Sequence, residues 1–593
     1  MNLGGIPVME RFGRSRELKG GAGRARGVRS GAGRRAGAPL RLSVPLLGVL
    51  AVAAFALCFW HSYYDSAFMG LIYNDAQDYA SIARNVASGR GLISQYLTPL
   101  SLAHFGVPQP DVWRAPLWPL LLAAFQRVFG FIDEASALAG GFCFAAGAAL
   151  TFLLGRRWFN TPVALAAAAL CAFSGQLLSF SISGLTEPLA VLLMAGWLYL
   201  LTAAPLSPWG PFLAGLGGGV FYLARYNALL FFLPALVYLW WVRRPRREPR
   251  PDLGAPFGAG RKGDALQGAA GGRRRAAFAA PAALFVLGFL LAAGPWLWRN
   301  CALTGNPFFS LQQYEPVMFT RTYPEYSLYR RAEIVDVAGF LLSHLEEVGE
   351  KVAAGWGEFA GGFWKPEFTG VALPVFILFL LSLALPLDAS FPAQRGVRPL
   401  LISCFLLQLA ALLPLHYIPR LFIIFAPLYA IYACGAVWQL AAGGLRLLRL
   451  PAVSAAVLAA ALLAAFTISG VRANYPDFHP EPPGPHPRSL RAEAISDVRR
   501  ALSPDRVVVS DSGHIFAWYG ERYALKLPYS PADLPEVARL APVGALFLSN
   551  WITWNSPDAD PAWVEVYLSR PPALHGLRLA KVYPDGSLLY LAD

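Results

Sequence analysis

The chain reads as a polytopic α-helical membrane protein with about eleven transmembrane helices and a C-terminal soluble α/β domain. Hydrophobic residues fill 56% of its 593 positions and charged residues only 15%, a balance too oily for a water-soluble chain. Apolar runs long enough to cross roughly 30 Å of hydrocarbon recur from Leu42 to Ile468. Beyond Ser469 the pattern breaks into short strand-like and helix-like pieces between Pro- and Gly-rich turns.

The expected spans are Leu42 to Trp60, Ala137 to Leu154, Pro162 to Phe180, Pro188 to Leu201, Pro211 to Leu223 and Leu229 to Val242. They continue with Ala276 to Leu297, Val371 to Leu385, Leu400 to Leu415, Leu421 to Trp438 and Ala452 to Ile468. Pro116 to Phe129 is also apolar, but at 1.5 Å per residue it reaches only about 21 Å. It is expected to lie on or dip into the outer surface. Pro211 to Val242 is too long for one helix and is expected to turn at Arg225.

The net charge of +14 is concentrated in a Gly- and Arg-rich tail, residues 1–41, and a Gly-, Pro- and Arg-rich loop, residues 243–275. Neither has the apolar periodicity to fold, so both read as disordered cytoplasmic segments beside acidic membrane lipids rather than nucleic-acid binders. With the tail inside, alternation also places Arg156, Arg157, Arg273, Arg398 and Arg446 inside, as the positive-inside rule requires. The N-terminus is then cytoplasmic and the C-terminal domain, residues 472–593, extracytoplasmic. The transmembrane part is residues 42–471, with outer loops 62–134 and 301–370. The second of these is expected to have a task, since seventy structureless residues are otherwise unusual. The six cysteines offer no disulfide framework, because five lie inside apolar spans and Cys301 stands alone.

Polar residues gather at the outer turns. The first outer loop opens Asn74-Asp75-Ala76-Gln77-Asp78-Tyr79, with Asp75 and Asp78 near the start of an amphipathic helix, where acidic residues suit the helix dipole. The second turn reads Thr186-Glu187-Pro188; capping accounts for Thr186 but not for a carboxylate at Glu187 near hydrocarbon. Arg225 marks the third turn, Arg299 and Asn300 end the seventh span, and His416, Tyr417 and Arg420 join the ninth to the tenth. Singly these are snorkelling or interfacial residues. Together they give every outer turn a polar group.

These pieces, in this order, resemble the GT-C membrane glycosyltransferases, specifically bacterial relatives of protein O-mannosyltransferases and of the lipid A aminoarabinose transferase. The resemblance rests on Asp75 with Asp78-Tyr79, Thr186-Glu187-Pro188, the Arg225 turn, Pro295-Trp296 with Arg299-Asn300, Gly305-Asn306-Pro307-Phe308, and Arg420 with Pro427. It implies a GT-C-like transmembrane domain in a bacterial cytoplasmic membrane and a sugar donor carried on polyprenyl phosphate. It also implies a lipid, glycan or protein acceptor hydroxyl presented from outside. Inverting transfer needs a base for the hydroxyl proton; the resemblance assigns Asp75, with Asp78 beside it. It gives Arg225, Arg299 and Arg420 to the leaving phosphate, and Glu187, Asn300, His416 and Tyr417 to support. Many protein mannosyltransferases have adjacent Asp-Glu here, whereas Ala76 follows Asp75, which weakens the case for a protein acceptor. Some GT-C enzymes use a divalent metal and others do not, and two scattered carboxylates are too few ligands to argue one. A transporter or flippase of a lipid-linked intermediate would instead place acids at mid-span and repeat its halves. A non-catalytic envelope scaffold is the third reading.

Overall fold

Small residues decide how closely the apolar helices pack. In a membrane, association rests on van der Waals contact rather than on water exclusion, so backbones must approach. Where Gly210–Ala224 crosses Ala279–Thr304, a Cβ on Gly215 would run into the carbonyl of Phe285, and one on Gly288 into that of Phe212. Asp133–Trp158 uses the same chemistry, burying Gly140, Gly141, Ala145, Gly147 and Ala148 among its neighbours. The computed structural model describes residues 44–242, 263–387, 391–394, 396–448, 451–473, 491–553 and 558–592. The basic tail, the basic loop as far as residue 262 and the Pro-rich linker after Pro480 lie outside these.

Among the described residues, seven helices have the length and apolarity to cross a membrane: Pro45–Ala67, Asp133–Trp158, Glu187–Leu206, Ala279–Thr304, Val397–Leu415, Pro419–Leu445 and Val453–Ala473. An eighth crossing would be the pair Thr161–Ala172 and Gly175–Ile182, bent by 56°. The straight span expected over Pro162 to Phe180 is therefore broken, because Ser174 starts a new helix, its Oγ accepting from the Leu177 N–H at 3.2 Å. The other expected spans coincide with the shorter helices Gly210–Ala224, Tyr226–Val242 and Leu373–Ser382. Eleven crossings are thus not established by helix length. The seventh expected span belongs to a helix that begins at Gly263, inside the stretch expected to remain an unfolded loop.

Leu117–Phe129 packs Trp118, Leu122 and Ala123 against Ala83 and Ala87 of the helix Asn74–Ala87, and turns Leu120, Val128 and Phe129 outward. The loop 301–370 is not structureless. It holds the helices Val337–Ser343 and Leu345–Gly362 and its own core around Leu311, Tyr314, Val317, Leu328 and Tyr329.

The C-terminal part builds a seven-stranded sheet, and one of its strands comes from elsewhere. Tyr96–Leu97 of the first loop forms an edge, parallel to Tyr523–Lys526, with Tyr96 opposite Ala524 and Leu97 opposite Leu525. Val507–Ser510, Val543–Leu548, Leu588–Ala592, Leu577–Val582 and Ala573–Leu574 follow in that order. The hairpin expected at Pro584, Asp585 and Gly586 forms, with Gly586 at φ 85°. The sheet is thus not confined to residues 472–593. Arg84 donates to the carbonyls of Trp518 and Ala517 at 2.5 and 2.6 Å, and Asp133 accepts from Trp518 Nε1 and the Tyr519 hydroxyl at 2.7 and 2.8 Å. Residues 44–593 form one compact unit.

Candidate active site

Asp75 lies in the first turn of Asn74–Ala87, whose buried face of Ala76, Ala80, Ala83 and Ala87 fixes its rotation. No side chain caps that helix, so the two aspartates are not held there by capping. Both are held by guanidinium groups instead. Asp75 Oδ1 accepts from Arg114 Nη2 at 2.9 Å and Oδ2 from Arg420 Nη2 at 2.8 Å, while Asp78 Oδ2 accepts from Arg114 Nε at 2.8 Å. Burial pushes the Asp75 carboxyl upward, but the charges of Arg114 and Arg420 outweigh it and hold the group well below the usual carboxylate range. Asp75 is therefore ionised, and 31% of its side chain is exposed.

Arg114 was not among the expected site residues, although the Asp111-Val112-Trp113-Arg114 run in the first loop set a lone cation among apolar residues. Its backbone is fixed from both sides: Asp111 Oδ1 accepts the Arg114 N–H at 3.1 Å, and Tyr226 donates its hydroxyl to the Arg114 carbonyl at 2.9 Å. The rings of Tyr79 and Trp113 lie 5.0 Å from its guanidinium carbon. Burial opposes its charge, but Asp75 and Asp78 outweigh that and hold it above its ordinary value.

A second ion pair lies beside the first. Gly184, at φ 78°, makes the turn before Glu187 and offers its carbonyl to Trp118 Nε1 at 2.9 Å; a Cβ there would meet Leu71. Glu187 Oε1 accepts from Arg225 Nη2 at 2.7 Å and stands 3.7 Å from Arg420 Nε. Thr186 does not cap its helix; its hydroxyl accepts from Arg225 Nη2 at 2.9 Å. Arg420 thus links the two carboxylates. Among the described residues Arg225 Nε and Nη1 and Glu187 Oε2 are buried without hydrogen-bond partners, so this corner has unused hydrogen-bonding capacity.

The remaining expected residues are placed differently. Arg299 stands outside these ion pairs, donating to Asn300 Oδ1 at 3.2 Å and to the Leu92 carbonyl at 3.4 Å over the Trp296 ring. Asn300 donates to the Phe309 carbonyl at 3.3 Å. His416 stacks on Phe319, centroids 3.8 Å apart, and Tyr417 is buried against Phe359 and Phe422. Among the described residues no three His, Cys, Asp or Glu side chains come together to hold a metal ion. Both Asp75 oxygens already accept from arginines, so these residues do not fit a divalent cation. The arrangement suits an anion that competes for Arg225 and Arg420 beside an ionised carboxylate.

Residues 113–258 match the family described as dolichyl-phosphate-mannose-protein mannosyltransferase. No curated protein matches the chain by sequence. The structure is similar to that of the Archaeoglobus fulgidus oligosaccharyltransferase in its apo form, at 13% identity and a TM-score of 0.53, over 87% of this chain and 70% of that one. The complex of the same enzyme with zinc and sulfate gives 13% identity and a TM-score of 0.52, over 85% and 68%. The match over residues 113–258 and this shared architecture identify the chain's fold as that of the GT-C membrane glycosyltransferases.

Proposed function

We propose that the protein transfers a sugar from a polyprenyl-phosphate donor to a hydroxyl of a lipid, glycan or protein acceptor, at the outer face of a bacterial cytoplasmic membrane, with Asp75 as the base. The observation that carries this reading is the ionised, partly exposed Asp75 held between Arg114 and Arg420, with Arg225 and its unused donors alongside. The basic turns on the opposite end of the spans support the orientation.

The residues supply the steps as follows. The donor phosphate takes hydrogen bonds from Arg225 and Arg420. As Arg420 turns to the phosphate, Asp75 Oδ2 loses its partner and its basicity rises. The acceptor oxygen attacks the anomeric carbon from the face opposite the phosphate, which inverts it. Its proton passes to Asp75. The anomeric carbon–oxygen bond breaks with its electron pair on the phosphate, where the arginines stabilise the growing charge. Asp78 keeps Arg114 in place, and Glu187 keeps Arg225 in place. Asn300, His416 and Tyr417 shape the surrounding wall.

The test uses the full-length protein in detergent with donor lipid extracted from the parent cells. The wild type is expected to release polyprenyl phosphate, and Asp75→Asn to lower the rate by about 10²–10⁴-fold while still showing a cooperative thermal transition. An Asp75→Asn protein of full activity would overturn the assignment of the base.

A further inference from the structure

Lys351 carries a buried charge that the transfer chemistry does not use. It lies on the helix Leu345–Gly362 with 7% of its surface exposed. An ammonium so buried is costly unless its hydrogen bonds are made, and here all three go to one segment. Nζ donates to the main-chain carbonyls of Glu315, Pro316 and Met318 at 2.7, 3.1 and 2.6 Å. These carbonyls close the helical turn Leu311–Val317, so a cation at a helix end accounts for part of the arrangement. It does not account for the next residue. Phe319 stands at φ 58°, in the left-handed region that a bulky side chain seldom adopts. Such strain persists only where the surroundings over-determine it. The Phe319 N–H donates to the Glu325 carbonyl at 3.2 Å, and Tyr326 meets its ring edge-on at 4.8 Å. The ring itself lies flat on His416, with centroids 3.8 Å and planes 9° apart.

His416 opens the turn that presents Arg420, and this turn is pinned at both ends. Phe319 holds it at His416, and at the far end the Leu421 carbonyl accepts from Gln408 Nε2 at 2.8 Å. The helix that carries Lys351 also packs on the turn directly. One turn beyond Lys351, a Cβ on Gly355 would stand 3.5 Å from that of Tyr417, and the Phe359 ring meets the Tyr417 ring edge-on at 6.1 Å. Lys351, Gly355 and Phe359 are spaced by four and so share one face of the helix. Arg420 leaves the turn between its two pins and reaches Asp75 Oδ2 at 2.8 Å.

We propose that Lys351 and Phe319 are positioning residues for Arg420. The ammonium holds the segment 315–318, the segment holds Phe319 in its left-handed conformation, and the ring braces His416 at the start of the Arg420 turn. This rests on the transfer reading above, in which Arg420 gives up Asp75 to take the donor phosphate. A guanidinium that must exchange one partner for another needs a backbone that stays still while its side chain moves. Neither Lys351 nor Phe319 has to touch donor or acceptor for this.

The experiment measures calorimetric binding of polyprenyl phosphate, sugar transfer and thermal unfolding for the full-length protein in nanodiscs. Lys351→Met is expected to weaken binding roughly fivefold and to lower kcat/KM by at least as much. Phe319→Ala and Phe319→Gly both remove the ring and are expected to weaken binding alike, also roughly fivefold. Glycine accepts φ 58° without strain, so Phe319→Gly should unfold at a higher temperature than Phe319→Ala. Binding that follows the ring while stability follows the backbone is what positioning produces and loss of folding does not. The double variant Lys351→Met with Phe319→Gly should bind no more weakly than the weaker single variant, because both act through one contact. If Lys351→Met does not fold, the two Phe319 variants carry the test. Wild-type binding by Phe319→Gly or by a folded Lys351→Met, or effects that multiply in the double variant, overturns the positioning role. The expected losses of binding in a protein that transfers no sugar would instead overturn the transferase reading and leave the positioning of Arg420 standing.

Discussion

Asp75 and Arg420 are 345 positions apart in the chain and meet at 2.8 Å. The contact closes the first loop onto the start of the most enclosed span, Pro419–Leu445. It gives the proposed base a partner that a phosphate can draw away. Arg114 holds the other oxygen of the same carboxylate and has no such second task.

Arg114 is therefore expected to behave as a positioning residue. One planar guanidinium reaches Asp75 through Nη2 and Asp78 through Nε, a geometry that a lysine cannot reproduce. Arg114→Lys should lower kcat about 100-fold with a smaller change in donor KM. Arg114→Met should destabilise the fold by roughly 3–5 kcal/mol, because the buried Asp78 carboxylate loses its cation. Transfer kinetics and unfolding midpoints of the two variants check this, and full activity of Arg114→Lys would show that the fork is not needed.

The donor-phosphate arginines should separate in the same assay. Among the described residues Arg225 retains two buried nitrogens without partners, whereas Arg299 hydrogen-bonds to Leu92 and Asn300 and lies on Trp296. Arg225→Gln is expected to raise donor KM at least about tenfold. Arg299→Gln should change it less than about threefold. Equal effects would mean that Arg299 swings into the site when donor binds.

Residues carrying a local signal were legible in the sequence, and residues whose role depends on distant partners were not. Glu187 stands out because a charge beside hydrocarbon needs a reason, Asp75 and Arg420 through the family resemblance, and the fold brings the three together. Thr186 read as a cap, because hydroxyls before helices usually are; its bond goes instead to Arg225, across the turn. Arg114 carries no local signal, being one arginine in a long loop. Nothing local indicated that Tyr96–Leu97 would join a sheet built some 400 residues later, since a two-residue strand has no periodicity to read.

The joint between the sheet and the helices gives a third expectation. Asp133 accepts from Trp518 Nε1 at 2.7 Å, the Tyr519 hydroxyl at 2.8 Å and the Leu71 N–H at 3.4 Å. Hydrogen bonds to a charged group are each worth about 1.5–3 kcal/mol. Asp133→Ala should therefore loosen the helix Gly513–Trp518 from the helices beneath it. Amide exchange over residues 513–519 should accelerate at least about tenfold relative to the wild type. Unchanged exchange would indicate that the parallel pairing of Tyr96–Leu97 with Tyr523–Lys526 holds the joint alone.

Glu315 should make the fold sensitive to pH. Burial in the loop core raises its carboxyl from 4.5 to about 7, against the opposing charges of Lys351 and Arg114. The Lys351 ammonium does not lower it further, because it is spent on the main-chain carbonyls of Glu315, Pro316 and Met318 at 2.7, 3.1 and 2.6 Å. Between 4.5 and 7 the folded chain holds a proton that the unfolded chain has released. By linkage, stability is then greatest below 4.5 and falls as pH rises through about 7. Asp75 has the opposite sign, its folded value being depressed, so its contribution is lost only in acid below the usual carboxylate range. Across the window from 5 to 7.5 Glu315 therefore dominates this pair. Over that window the wild-type unfolding midpoint should fall more, or rise less, with pH than that of Glu315→Gln, which stays neutral. A Glu315→Gln protein with the wild-type slope would assign the titration to another group.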